Sequence, residues 1–221
     1  LELDWNIYNK LVKFCSYEHV PLMKALLEST LSANSYCCTG QDNKYKLTLF
    51  TRAMDDACNS QELGMVRLFL EKGANPSLQS LLQSDSSELS ARRGIKYDAQ
   101  DYMSPLHRIA SAVHEERVPL VSLLVEHGAD LNTPEYGSTC FMKIVSAYIS
   151  VIYQAKGPTV NSNKRYELIA KCLSRGAQIN VPSECGFGDL CVLTPLQFVK
   201  KYQRTELVTL FEEHQKRRSN A

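Results

Sequence analysis

Apolar residues in this chain recur at helical spacing, most clearly between Leu106 and Val125. Leu106, Ile109 and Ala110 fall at i, i+3 and i+4, and after a polar break Leu120, Val121, Leu124 and Val125 repeat the spacing. The pattern predicts two amphipathic helices lying back to back. Ser104 stands where a hydroxyl caps a helix N-terminus, and Pro105 takes the first helical position, where a missing N–H costs nothing. Gly128 stands just past the second helix, where the chain must enter the left-handed region, and Ala129, Asp130 and Leu131 lead outward in a turn.

A helix pair this short cannot bury its apolar face alone, and repetition is the usual remedy. The ending is found three times, as LFLEKGANP (Leu68–Pro76), LLVEHGADLN (Leu123–Asn132) and CLSRGAQIN (Cys172–Asn180). The opening returns as LTPLQFVKKYQRTELVTLFEEH (Leu193–His214) and more weakly as STCFMKIVSAY (Ser138–Tyr148). A degenerate copy, KLVKFCSYEHVPLMKALLES (Lys10–Ser29), keeps the apolar spacing and loses the turn glycine.

These segments resemble the ankyrin repeat family, whose T-P-L-H opening, V-x-L-L run and G-A-D-x-N ending match best at Ser104–Asn132. The resemblance implies an all-α, ankyrin-type helical repeat solenoid of about five helix-turn-helix units over a single 1–221 domain. The units run over 10–30, 52–77, 104–132, 138–180 and 194–214. Long insertions separate them, and the spacings exceed the ~33-residue ankyrin period. Leu31–Lys46 reads as a long polar finger. Ser77–Met103 carries Leu78, Leu81, Leu82 and Leu89, the makings of a short helix. Ile149–Lys164 begins as a continuation of the preceding helix through Tyr153. Pro182–Val192 places Phe187 between two glycines.

Composition narrows the function classes. Lys plus Arg of 25 against Asp plus Glu of 24 leaves no global footprint for nucleic acid. No apolar run approaches the ~18 residues of a membrane helix, and LELDWNIYNK has none of the features of a signal peptide. The chain starts without methionine, which suggests a portion of a longer protein, and any catalytic domain of that protein could lie outside it. The eight cysteines do not form a C-x2-C pair: Cys37 and Cys38 are adjacent, and Cys185 and Cys191 have five residues between them. No metal or other cofactor is expected. Cys15, Cys58, Cys140 and Cys172 sit in apolar helical patterns and read as core. Thiols without a secretory signal favour a reducing, cytoplasmic compartment.

Nothing in the sequence brings His107, Asp130 and a thiol together as a catalytic set, and no phosphate cradle, nucleophile elbow or H-E-x-x-H appears. His107 and Asp130 read as structural, the first tying its turn to neighbours by hydrogen bonds as the family resemblance implies. A non-enzymatic protein-binding module is therefore expected, one that would position an attached catalytic domain. The competing class is a cysteine-dependent enzyme using Cys185 or Cys191 on the glycine-flanked loop.

In the resembled family, residues just before each first helix and those after its small positions face the partner. On this chain they are Thr51 and Asn59, then Tyr102, Met103 and Ser111. Glu135, Tyr136, Ser138 and Ser146 follow in the next unit, and Lys201 and Tyr202 in the last. Phe187 adds a loop contact, and tyrosines are apt interface anchors. Irregular arrays of this kind are also similar to those of proteins that intracellular bacteria export into host cells, which implies a possible host-directed effector.

Overall fold

Threonine hydroxyls start three of the helices, because the first N–H groups of a helix have no intrahelical partner. A computed structural model describes residues 2–3, 5–29, 31–39, 45–77, 81–82, 104–110, 115–135, 137–155, 161–184 and 192–219. They fall into two compact units that divide between Pro105 and Leu106. The described residues are mostly helical.

In the first unit, α1 (Trp5–Val12) and α2 (Val20–Ser29) form one helical hairpin, and α3 (Leu49–Ser60) and α4 (Gly64–Glu71) another. α1 packs on α3 and α2 on α4, first helix on first and second on second. Thr48 caps α3, its hydroxyl accepting from the Thr51 N–H at 3.0 Å. That cap moves the start of this pair from the expected Arg52 back to Thr48. Phe50 and Phe69 meet inside the second hairpin with ring centroids 6.1 Å apart. Each is buried, which stabilises by roughly 1.5–3 kcal/mol per side chain.

The same unit forms a sheet in the order β1-β2-β3-β4. β1 (Glu2–Leu3) runs parallel to β2 (Tyr36–Thr39), which pairs antiparallel with β3 (Tyr45–Thr48) in the register Tyr36 to Thr48. β4 (Leu81–Leu82) adds to β3. Leu81 and Leu82, expected in a short helix, are therefore strand residues. Two adjacent apolar residues fit either state, and the exposed edge of β3 supplies ladder partners that decide between them.

The second unit repeats the arrangement. Its hairpins are α5 (Pro105–Ala110) with α6 (Val118–Glu126), α7 (Cys140–Ala155) with α8 (Asn161–Ser174), and α9 (Pro195–Lys201) with α10 (Thr205–Ser219). The helices α6, α8 and α10 pack in succession, and α7 packs on α9. Phe141 on α7 meets Phe211 on α10 at 5.7 Å between centroids, joining neighbouring hairpins. The helix α7 runs on to Ala155 as the apolar pattern through Tyr153 requires, and α10 extends past the expected His214 to Ser219.

Two short β-hairpins lead into the next first helices, β5 (Pro134–Glu135) with β6 (Ser138–Thr139), and β7 (Ser183–Glu184) with β8 (Val192–Leu193). They are bonded to each other through Glu184 N–H and Gly137 C=O at 2.8 Å. Gly137 has φ +79°, a conformation that a Cβ disfavours. Thr139 caps α7, accepting from Met142 N–H at 3.0 Å. Thr194 and Gln197 form a reciprocal capping box at α9, at 3.1 and 2.9 Å.

Candidate functional site

The second helix of a pair closes with the same backbone pattern wherever the glycine occurs. Ala74, Ala129 and Ala177 each donate to a carbonyl five residues back, and Gly73, Gly128 and Gly176 donate three back. These glycines have φ of +83°, +81° and +92°, and the paired bonds satisfy the orphan carbonyls at the helix end. The first pair makes the longer bond too, Leu31 N–H to Leu26 C=O at 3.0 Å. The sequence there carries Thr30 in place of glycine.

Three residues beyond two of these turns, at Leu31 and at Ala129, stands the residue that ties one pair to the next. Asn34 Nδ2 donates to Gly73 C=O at 2.9 Å while its Oδ1 accepts from Asn75 N–H at 2.7 Å. Asn132 does the same in the second unit, to Gly176 C=O at 3.1 Å and from Gln178 N–H at 2.8 Å. A carboxamide offers one donor and one acceptor side by side, and a glycine turn presents a carbonyl and an N–H two residues apart to match it. Lys–Glu pairs bridge the same helices, Lys72 to Glu28 at 2.8 Å and Lys171 to Glu126 at 2.5 Å. The Lys72 hydrogen bond and charge hold the Glu28 carboxyl below its ordinary range.

Asp130 sits in the connecting turn, accepting at Oδ1 from the N–H groups of Asn132 and Thr133 at 2.8 and 3.1 Å. Burial pushes its carboxyl up, but those bonds and the Thr133 side chain outweigh it and leave the carboxyl below the ordinary range.

His107 is fully buried on α5. Its Nδ1 lies 3.1 Å from Cys140 Sγ and 3.9 Å from Glu135 Oε2, so helix, finger and next helix converge on one imidazole. The structure brings one thiol of the considered set to His107, because α7 begins at Cys140, directly after the β5–β6 finger, while Asp130 stays in its own turn. Burial, and then the Lys143 charge, push the His107 pKa down to about 4, against Glu135, which raises it by charge and through a backbone hydrogen bond. Cys140 is 1 % exposed. A closed site holding a weakly basic imidazole suits a structural pin better than a base acting on a substrate. The thiols of Cys15 and Cys172 are pushed up to about 12 by burial and are inert by the same reasoning. Among the described residues no group of three His, Cys, Asp or Glu side chains is placed to hold a metal ion.

The expected partner-facing residues divide into three sets. Thr51 is buried, its hydroxyl 2.9 Å from that of Thr48, and Ser138 is buried with its hydroxyl directed to Thr139 C=O at 3.5 Å. Both serve helix starts and finger packing, because the caps lie one residue or more from where the sequence suggested. Asn59 is exposed on α3. In the second unit Glu135 lies on β5, Ser146 is half-buried on α7, and Lys201 is exposed at the end of α9. Lys201 Nζ lies 5.9 Å from the ring centre of half-buried Tyr202, which packs on Phe198 at 4.8 Å. Tyr102, Met103, Ser111, Tyr136, Phe187, Cys185 and Cys191 lie outside the described residues.

The ankyrin repeat family profile matches residues 101–135. That segment is similar to an ankyrin repeat. The match spans α5, α6 and the first strand of the finger, so His107, the Gly128 turn and Asn132 all lie within it. No curated protein matches the chain. Ankyrin repeats are generic protein-interaction units and are typically non-catalytic. Among the described residues no helix is long and apolar enough to cross a membrane. The two asparagines of the inter-pair ties were not among the expected site residues, although the G-A-D-x-N spacing contained the signal for Asn132.

Proposed function

We propose that the chain is an irregular ankyrin array of about five pairs that binds another protein, without catalysing a reaction. The observation that carries this reading is the recurrence of one inter-pair device, a carboxamide gripping the next turn, at Asn34 and at Asn132. Stacked pairs leave the outer side of their first helices and the fingers free for a partner. In the second unit that surface comprises Ser146, Lys201 and Tyr202, with Tyr136 and Phe187 from the sequence reading. The Lys201–Tyr202 contact gives it a cation beside an aromatic ring, a combination suited to a desolvated anchor. The same array would position a catalytic domain elsewhere in a longer protein and would work in a reducing, cytoplasmic compartment, including that of a host cell.

Affinity capture from a cell lysate tests this, comparing the native chain with Lys201→Glu and with Tyr136→Ala. The expected result is a discrete partner retained by the native chain and lost, at unchanged helix content, from both variants. Identical capture by all three proteins overturns the assignment of this surface. Native-state alkylation tests the enzyme alternative: one fast-reacting thiol at Cys185 or Cys191 supports it, and uniformly slow labelling removes it.

A further inference from the structure

The inter-pair tie has an open third copy. Asn180 follows Gly176 by four residues, as Asn132 follows Gly128, and it stands three beyond the turn alanine like Asn34 beyond Leu31. Unlike the other two, its side chain makes no hydrogen bond to any described residue, and the residue is exposed. The reason lies in α10. Aligning LVTLFEEHQK with LVSLLVEHGA puts Gln215 where the earlier pairs carry the turn glycine. A residue with a side chain favours continuing the helix, so α10 runs on through Lys216, Arg217 and Arg218 to Ser219. Ser219 Oγ takes the Gln215 carbonyl at 3.1 Å, the group that a turn would have offered to Asn180.

What remains between the loop and the helix is a cleft of about 380 Å³, lined by Gln178, Ile179 and Asn180 on one side and His214, Gln215, Arg218 and Ser219 on the other. Arg217 is paired with Glu213 at 3.4 Å, whereas Arg218 makes no ion pair with a described residue. His214 Nε2 is buried without a hydrogen-bond partner. The cleft therefore holds an unused carboxamide of the kind that grips a glycine turn twice elsewhere in this chain, beside an unused cation.

We propose that the Asn180 cleft binds a glycine-turn segment of a partner polypeptide carrying an acidic side chain. Asn180 Nδ2 donates to the carbonyl of the turn glycine, Asn180 Oδ1 accepts the N–H two residues on, and Arg218 takes the carboxylate. The site shares no residue with the proposed first-helix surface and stands or falls separately from it.

The test uses the chain's own turn as probe: a peptide of sequence VEHGADLN blocked at both ends, titrated into the 15N-labelled full chain while the Asn180 side-chain amide signals are followed. Saturable shifts at Asn180 are expected, with affinity reduced about tenfold by Asn180→Ala and by Arg218→Gln. The neutral peptide VQHGANLN should bind about tenfold more weakly, and Lys201→Glu should bind as the native chain does. Both substituted positions are exposed, so unchanged backbone signals elsewhere establish that the variants are folded. Absence of saturable shifts at ~10 mM peptide, or equal affinity in Asn180→Ala, overturns the proposal. Equal binding of the neutral peptide overturns its acidic half.

Discussion

The two units use the same devices with unequal clarity of sequence. In the second, a full S-P-L-H opening, glycine turns and Asn132 spell out the repeat. In the first, Thr48-Leu49-Phe50-Thr51 stands where the second has Ser104-Pro105-Leu106-His107, and the turn at Leu31 has no glycine before it, so that only the Gly73 turn and Asn34 survive as recognisable motif residues. Yet the longer turn bond, the carboxamide tie and the packing of second helix on second helix are all present. The lesson is that backbone bonding carries the pair-to-pair junction, and the motif residues are one way to obtain it.

The sharpest way to strain that parallel is to remove core aromatics. Phe211→Ala takes away the ring that joins α10 to α7, and Phe69→Ala the ring that joins α4 to α3. Each should lose about 3–5 kcal/mol in denaturant unfolding. A loss under 1 kcal/mol in Phe69→Ala alone would show that the first unit is packed on a different plan.

Acid sensitivity should differ between the units. With the folded His107 pKa lowered to about 4 from an ordinary 6.5, the unfolded chain binds more protons between those values. Stability is thus fully present above pH 6.5 and falls with pH toward 4, at a slope approaching about 1.4 kcal/mol per pH unit from this group. Thr51, at the matching position of the first unit, does not titrate. His107→Gln should flatten the acid limb measured by urea unfolding at a series of pH values; an unchanged limb would mean that His107 does not govern it.

The ties should be worth similar amounts in both units. Asn34→Ala and Asn132→Ala each remove two hydrogen bonds to backbone and should each cost about 1–2 kcal/mol. Replacing a cap, Thr48→Val or Thr194→Val, should cost about 1 kcal/mol. The smallest effect belongs to Lys72→Met, whose partner Glu28 is exposed, so thermal unfolding should barely separate the variant from the native chain.

Legibility followed the same division. Helix placement was readable wherever apolar spacing sustained several turns, so α6, α7 and α10 lie where the pattern put them. Helix starts were harder: a cap is a single hydroxyl, and Thr48 lies outside the run that announced its helix. Leu81 and Leu82 misled because so short an apolar run takes its state from whatever edge it meets. The partnership of His107 with Cys140 was invisible, since 33 residues and a finger separate them and only the folded path brings them within 3.1 Å. Asn34 was hidden for the opposite reason, its neighbours carrying no glycine to mark the turn.

The most direct test is the hydrogen exchange of two backbone amides, Asn75 N–H and Gln178 N–H, each the donor to a tie. If both units are built from the same stacked pair, both amides are protected in the native chain, with Asn34→Ala releasing the first and Asn132→Ala the second. Protection at Gln178 with free exchange at Asn75 would contradict the account, leaving the repeat confined to the second unit.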